Sequence, residues 1–259
     1  MLVGDFGLWF FLEYRRLSGL IHILSRGCNL VNIFPYEYVL ILERNALFAH
    51  AIATVVTEST CLPASDIQHV SSIMHLRSKI MSKKFTGKTV LIIAELVTDV
   101  DGLRNGFELI KFLTAQEKNG NRQYGVVVYT GLREAILIKG LVVSGPDAIV
   151  LRDEPFAEFE KIIAGLCLPG MDIKLSSGTR KKLSGTEETL TAAEQAWLIA
   201  EIDSGDPTAA AIKLHCSRKT VSTHRISVAK KLGLRKRTDF CHWLGEIQCS
   251  LGYFNGRIV

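Results

Sequence analysis

The sequence predicts a doubly wound α/β domain over residues 38–166, followed by an all-α helix-turn-helix domain over residues 190–250. Up to about residue 166, short runs that are apolar throughout alternate with longer segments of helical spacing. After about residue 190 only short helical segments follow. The chain has 259 residues, of which 47% are hydrophobic, so it is long enough to bury two cores of ordinary size.

The alternation in the first domain predicts strands and helices in turn. Strands that are apolar on both faces and separated by helices are typical of a parallel sheet covered on both sides. The predicted strands are Tyr38–Leu42, Thr89–Leu96, Gly125–Tyr129 and Asp147–Leu151. The predicted helices, with apolar residues at i, i+3 and i+4, are Ala46–Thr57, Phe107–Thr114, Arg133–Val143 and Ala157–Leu166.

Residues 1–37 precede these elements as an N-terminal extension of unknown role. Its apolar residues, such as Leu8–Leu12, are interrupted by Asp5, Glu13 and Arg15, so no run of about 20 apolar residues exists and no membrane span is predicted. Two interpretations stay open. The segment is an amphipathic helix lying on a membrane or on its own domain, or it is an extension outside the folded core.

In a doubly wound sheet, the residues directly after the strands share one edge, where the functional crevice lies. The charged and polar residues at those places are Glu43, Arg44, Glu95, Thr130 and Arg152. The strings around them resemble a response-regulator receiver domain: VLILERNALF its first strand and helix, VLIIAEL the strand of the phosphoacceptor aspartate, VVVYTG the strand of the switch threonine, and GPDAIVLRDEP the strand of the family's lysine. The resemblance implies that Glu95 stands at the acceptor position, Thr130 at the switch position and Arg152 at the lysine position.

The departures from the receiver pattern change the predicted chemistry. A receiver holds magnesium with three carboxylates, because hard oxygen ligands must offset the charge of the phosphoryl group. Here Arg44 interrupts the acidic pair and Glu95 replaces the aspartate, so weak or absent magnesium binding is expected and no metal or cofactor is predicted. Two interpretations stay open. Glu95, longer by one methylene, mimics a phosphorylated aspartate and pairs with Arg152, or these charged residues merely hold an inactive site together.

An alternative register would place the acceptor at Asp99 or Asp101, in the loop LVTDVDGLRNGFEL. Phosphorylation would then remain available. Both residues fall in a glycine-containing loop beyond the strand, so the pattern favours Glu95.

Residues 167–189 come after the last predicted helix and are rich in Gly and Ser, interleaved with Arg180, Lys181 and Lys182. This composition predicts a flexible linker.

The second domain is predicted from its helix-start signals. Thr191 and Glu194 form a capping box, Pro207 suits a first helical position, and Ser217 suits an N-cap. The predicted helices are Ala192–Ile202, Thr208–Leu214, Arg218–Leu232 and Thr238–Gln248. The tight turn between the second and third helices indicates a helix-turn-helix.

The third of these helices separates a buried stripe from a polar face. Val221, His224, Val228 and Leu232 fall on one side. The segment Lys213–Arg237, which includes this helix, carries no Asp or Glu. Its basic residues are Lys213, Arg218, Lys219, Arg225, Lys230, Lys231, Arg235, Lys236 and Arg237. A charge run alone indicates a solvated face, but on this helix it favours a nucleic-acid contact.

The string SRKTVSTHRISVAKKLGLRKRTDF, with LTAAE before it, closely resembles the LuxR/NarL family of bacterial transcription regulators over about 55 residues. The resemblance implies that Ser222, Thr223 and Ile226 face bases and that the last helix is a dimerisation helix. It also implies a core role for His224. The implied backbone contacts, with Arg218 added to the DNA-contacting set, come from Lys219, Thr220, Arg225 and Lys230. Two departures stand out: His215 where the family usually has glycine, and Ala210 in place of a larger aliphatic residue.

The cysteines predict reduced thiols in the cytoplasm, since no CxxC pair and no secretory signal is present. Histidines adjoin two of them, at His215 with Cys216 and at Cys241 with His242, so a metal site stays open. Because the spacing is not that of a zinc site, core packing is favoured.

Three classes of function remain. They are a phosphorylation-independent DNA-binding transcription factor, a phosphorylated two-component response regulator, and a partner that titrates a related regulator without binding DNA. No catalytic pattern is found, so no enzyme is predicted. A receiver that departs from its pattern, joined to an intact helix-turn-helix, resembles the auxiliary regulators that pair with the regulator of the Rcs phosphorelay. The implied partners are double-stranded DNA, a second copy or a related LuxR-type regulator, and RNA polymerase.

Overall fold

The structure is a computed structural model that describes residues 34–115, 117–118, 121–166, 173–185, 188–254 and 257–258. The predicted N-terminal extension lies almost wholly outside these residues. Residues 35–259 form one compact unit.

A six-stranded parallel sheet forms the centre of this unit, in the order β2-β1-β3-β6-β7-β8. Its strands are β1 (Tyr38–Leu42), β2 (Ile67–Val70), β3 (Val90–Ala94), β6 (Tyr124–Thr130), β7 (Ala148–Leu151) and β8 (Lys174–Leu175). Two short antiparallel hairpins lie outside the sheet: β4 (Glu117–Lys118) with β5 (Asn121–Arg122), and β9 (Tyr253–Phe254) with β10 (Arg257–Ile258).

Helices connect the strands and cover both faces of the sheet. They are α1 (Ala46–Thr60), α2 (Ile73–Ile80), α3 (Leu103–Thr114), α4 (Ala135–Val143) and α5 (Phe156–Gly165). Every residue of β3 and β6 is buried, because alternate side chains point to opposite faces and each face meets a layer of helices. The predicted doubly wound fold is confirmed.

The sequence patterns miss β2 and α2, which lie between the first two predicted strands. Edge strand β2 includes the polar residues Gln68 and His69, so it shows no apolar run. Helix α2 has only eight residues, which is too short for a clear helical period.

The predicted flexible linker requires a correction for residues 173–185, which form β8 and α6 (Ser177–Ser184). Ser176 caps α6 through the Thr179 N–H and binds the Glu154 carboxylate, which also accepts a hydrogen bond from the Gly178 N–H at 2.6 Å. The serines and glycines that suggest flexibility therefore supply a cap and a close backbone approach.

Four further helices follow and form a unit that we call the head: α7 (Ala192–Ser204), α8 (Pro207–Lys213), α9 (Arg218–Lys231) and α10 (Arg237–Ser250). They lie within two residues of the predicted bounds. The head packs on α3 through α7, and its buried residues Trp197, Ile202 and Leu244 continue the core that covers one face of the sheet. The two predicted domains therefore share one hydrophobic core.

Candidate functional site

The carboxyl edge of the sheet carries a pocket of about 200 Å³. Because the strands are parallel, the residues that follow them meet at this edge. Glu43 follows β1, Glu95 follows β3, Thr130 ends β6 and Arg152 follows β7. Glu95, Arg152 and Arg44 line the pocket, so the five residues predicted from the receiver resemblance are gathered at one edge of the sheet.

Arg152 holds two buried carboxylates. Its guanidinium pairs with the Glu43 carboxylate and, through Nε, with Glu95 Oε2 at 3.0 Å. Only 19% of the Arg152 side chain is exposed, against 1% for Glu43 and 5% for Glu95. The rings of Phe48 and Tyr129 lie 4.9 and 5.7 Å from the same guanidinium carbon and shield the cluster from water.

The Glu95 carboxylate accepts three further hydrogen bonds. The Thr130 hydroxyl donates at 2.8 Å, the Leu96 N–H at 2.7 Å and the Gly131 N–H at 3.2 Å. Burial raises the pKa of Glu95 to about 7, although these hydrogen bonds oppose the increase. Burial also lowers the pKa of Arg152 to about 10, which leaves the guanidinium charged at neutral pH.

The Glu43 carboxylate is also engaged on both oxygens. Oε1 accepts from the Asn45 N–H at 2.8 Å, and Oε2 faces Arg152. Among the residues that the structure describes, no group of three His, Cys, Asp or Glu side chains could hold a metal ion. The acidic side chains at this edge are thus paired with protein donors.

Asp101, the acceptor in the alternative register, accepts hydrogen bonds from neighbouring segments. Its Oδ2 accepts from the Ile73 N–H and from the Thr98 hydroxyl, each at 2.8 Å. Glu95 directly follows the last residue of β3, and its N–H donates to the Leu42 carbonyl at 2.9 Å. Glu95 therefore stands at the strand end, where the receiver pattern places the acceptor.

The head begins with the predicted capping box, in which Thr191 and Glu194 satisfy each other's backbone N–H groups. Ser217 caps α9 through the Thr220 N–H at 3.1 Å. Val221 and Val228 are buried on the inner side of α9, and His224 stacks on Trp197 with 6.4 Å between ring centroids. These contacts fix which side of α9 faces outward.

The outer side of α9 is open to solvent. Ile226 is 71% exposed and lies among polar and basic side chains. Its exposed neighbours on the helix are Arg218, Lys219, Thr220, Ser222, Thr223 and Lys230. We call Lys219, Ser222, Thr223, Ile226 and Lys230 the recognition face.

Residues 205–244, from the end of α7 into α10, match the family described as bacterial regulatory proteins, luxR family. The head is a LuxR-type helix-turn-helix domain. No curated protein matches the chain by sequence.

Solved structures of RcsB resemble the chain over both of its parts. RcsB from Salmonella enterica serovar Typhimurium, bound to promoter rprA in the presence of phosphomimetic BeF3−, superposes with a TM-score of 0.58 and 18% identity, covering 80% of this chain and 98% of that one. A structure of two RcsB dimers bound to two parallel DNAs gives 0.60, with the same identity and coverage. At this identity the likeness shows the fold: a receiver-like domain followed by a LuxR-type head.

Arg225, from the predicted DNA-contacting set, forms an ion pair inside the LuxR-type head. Arg225 is half-buried and donates to Glu201 Oε1 at 2.5 Å, while its guanidinium carbon lies 5.8 Å from the centre of the Phe240 ring. Sequence reasoning missed this pair because Glu201 lies on α7, 24 residues away. The predicted phosphate contact of Arg225 stays a prediction.

A second internal ion pair joins Lys231 to Glu194, with 2.6 Å between Nζ and Oε2. Burial alone would raise the pKa of Glu194, but hydrogen bonds from Lys231, Ser227 and Thr191 outweigh it and lower the pKa to about 2. The capping residue of α7 thus also anchors the end of α9.

The turn before α9 shows why glycine is usual at the first position that departs from the family pattern. His215 has a φ of 51°, the left-handed conformation in which glycine is favoured. Ala210 is fully buried, so the small side chain lies inside the head.

The thiol next to His215 belongs to the head's interior, since Cys216 is half-buried against the core. Cys241, for which core packing was also expected, is exposed, and so is His242.

Within the part of the chain that the structure describes, none of the helices combines the length and the hydrophobicity that a membrane span requires.

Proposed function

We propose that this protein is a sequence-specific DNA-binding transcription regulator that acts without phosphorylation, as a homodimer or a heterodimer with a related LuxR-type regulator. The observation that carries the proposal is the exposed recognition face on α9 of a LuxR-type head. Small polar and apolar side chains at Ser222, Thr223 and Ile226 can reach base edges, while Lys219 and Lys230 contact phosphates.

The proposed independence from phosphorylation is supported by the occupancy of the acidic side chains. Glu43 and Glu95 share the Arg152 guanidinium, and both Glu95 oxygens accept hydrogen bonds. Arg44 lines the same pocket and adds a cation where a metal would need negative charge. We propose that this salt-bridged cluster holds the receiver-like domain in one state, and that Glu95 there stands in for a phosphorylated aspartate.

Dimer formation is proposed from the LuxR resemblance and from the RcsB dimers seen on DNA. The helix assigned to it is α10, which exposes Cys241, His242 and Glu246 on one side. RNA polymerase as a partner and the cytoplasm as location stay predictions.

The DNA-binding proposal is tested with the double variant Lys219→Ala, Lys230→Ala. Each phosphate contact contributes about 0.9 to the slope of log affinity against log salt concentration, so the slope should fall by about 2. The measurement is fluorescence anisotropy on duplex DNA at several NaCl concentrations. The matched control is Lys83→Ala with Lys161→Ala, which removes the same charge from exposed positions of the receiver-like domain. If wild type showed no salt-dependent binding, the titrating partner would replace this proposal.

The phosphorylation proposal is tested by incubating the purified protein with acetyl phosphate and Mg²⁺ and trapping any acyl phosphate. No adduct is expected in wild type or in Glu95→Gln. An adduct lost in Glu95→Gln would make the protein a phosphorylated response regulator with Glu95 as its acceptor. An adduct lost only on substitution of Asp99 or Asp101 would support the alternative register.

A further inference from the structure

The head contacts the receiver-like domain at two helix ends of opposite polarity. The first is the amino-terminal end of α3, whose leading N–H groups have no partner within the helix. Its N-cap residue is Gly102, which has no side chain to cap them. A side chain from the head takes that role.

Asp203 of α7 supplies the missing cap. Its Oδ1 accepts from the Leu103 N–H at 2.8 Å, and its Oδ2 accepts from the Arg104 N–H at 3.0 Å. A Cβ at Gly102 would lie 2.8 Å from Asp203 Oδ1, so glycine is what allows the carboxylate to approach. A carboxylate at a helix N-terminus is also favoured by the helix dipole.

Tyr253, the first residue of β9, completes the same contact. Its hydroxyl donates to Asp203 Oδ1 at 2.5 Å and accepts from the Leu103 N–H at 2.8 Å. Burial raises the pKa of this hydroxyl, so it stays protonated and remains a donor to the carboxylate.

The second contact is at the carboxyl-terminal end of α10, where the helix dipole is negative. Gly252 follows this helix with a φ of 80°, and Arg44 packs so closely that a Cβ at Gly252 would lie 2.7 Å from both terminal nitrogens of the guanidinium. Ser250 and Leu251 line the pocket that holds Arg44, Glu95 and Arg152. The end of α10 therefore closes the edge of the sheet where the salt-bridged cluster lies.

We propose that these two contacts form a reciprocal latch, in which each domain places a charged side chain at a helix end of the other. Asp203 and Tyr253 of the head cap α3, and the Arg44 guanidinium of the receiver-like domain lies at the negative end of α10. Arg44, which interrupts the acidic pair of the receiver pattern, thus has a structural role. It lets the head dock at the edge of the sheet where the receiver pattern places the phosphoacceptor.

The latch has a consequence for how the two domains communicate. The loop between Glu95 and α3 is only seven residues long, and its Asp101 and Thr98 are fixed by hydrogen bonds. This loop joins the salt-bridged cluster to the capped end of α3, and it is the path by which the latch would couple the two domains. The recognition face remains exposed in the latched form, so closure of the latch orients the head without covering α9.

The test uses the full-length variants Asp203→Ala and Arg44→Ala, with hydrogen exchange and small-angle X-ray scattering as readouts. In Asp203→Ala the Leu103 and Arg104 amides should exchange roughly tenfold faster, as expected for a lost helix cap. In Arg44→Ala the faster exchange should appear at residues 251–253. Both variants should have a larger radius of gyration than wild type.

Each variant has a matched control in the chain. Asp206→Ala removes a carboxylate that caps α8 inside the head, and Arg133→Ala removes a guanidinium that lines the same pocket but pairs with Asp153. Neither control should speed exchange at α3 or enlarge the molecule. Should Asp203→Ala fail to fold, Tyr253→Phe, which loses a single hydroxyl, gives the same test. Variants with the exchange rates and radius of the controls would overturn the latch, whatever the outcome of the DNA experiments.

Discussion

Glu95 in the receiver-like domain and Glu194 in the head are each only 6% exposed, yet their pKa values shift in opposite directions. Two carboxylates share one guanidinium in the first case, since Arg152 pairs with both Glu43 and Glu95. Glu194 pairs with the Lys231 ammonium and accepts two further hydrogen bonds, from the Thr191 N–H and the Ser227 hydroxyl. Burial favours the neutral acid in both residues; it prevails at Glu95, whereas the hydrogen bonds from Lys231, Ser227 and Thr191 prevail at Glu194.

The comparison extends to the basic residues of the two regions. The cation of the receiver-like cluster is enclosed by acids and aromatic rings, whereas Arg218, Lys219 and Lys230 of the head face solvent. The receiver-like cluster thus keeps its cation inside the fold, whereas the outer side of α9 presents its cations to solvent.

The largest effect is expected for Arg152→Met. Removal of the shared cation leaves Glu43 and Glu95 buried without a countercharge, which costs about 3–5 kcal/mol of unfolding free energy. Urea denaturation at pH 7 measures the loss. Arg133→Met, in the same pocket but with a side chain 58% exposed, should cost less than about 1 kcal/mol. A loss for Arg152→Met as small as that of the control would mean that the cluster is solvated.

The next largest effect is on the pH dependence of stability, to which Glu95 and Glu194 contribute in opposite directions. The folded-state pKa of Glu95 is raised above its ordinary value of 4.5, so its contribution to stability is present at low pH and is lost as pH rises from about 4.5 to about 7. The full loss amounts to about 3 kcal/mol. The pKa of Glu194 is lowered, so its contribution is present above pH 4.5 and is lost as pH falls toward about 2.

Denaturation curves between pH 3 and pH 8 measure both trends. Glu95→Gln should flatten the slope between pH 4.5 and 7, and Glu194→Gln should lower stability above pH 4.5 and flatten the slope below it. If Glu95→Gln left the neutral slope intact, the Arg152 pair would outweigh burial, and the phosphorylation-mimic hypothesis would gain support.

The smallest effect concerns the backbone of the head. His215→Gly should raise the unfolding free energy by up to about 1 kcal/mol, because the left-handed conformation at φ 51° disfavours a side chain. Gly233→Ala provides the mirror test, since Gly233 has a φ of 70° and open space around it. It should lower stability by about 1 kcal/mol. Thermal denaturation compares both with wild type, and equal melting temperatures would show that the turn is unstrained.

The fold was largely predictable because strands such as β1 and helices such as α9 carry their period in the local sequence. The site was predictable for a related reason: residues that follow parallel strands must meet at one edge. Elements with no such local signal escaped, as edge strand β2 and the short helix α6 illustrate.

The sequence by itself determined the strand and helix pattern, the charged residues at the sheet edge and the exposed basic helix, because each depends on neighbours within one or two turns. Only the tertiary structure decided which charges pair. Arg225 faces Glu201 rather than solvent, and Asp203 reaches the Leu103 N–H across 100 residues of chain. Such contacts depend on how separate elements pack, and packing is fixed by the shared core rather than by local periodicity.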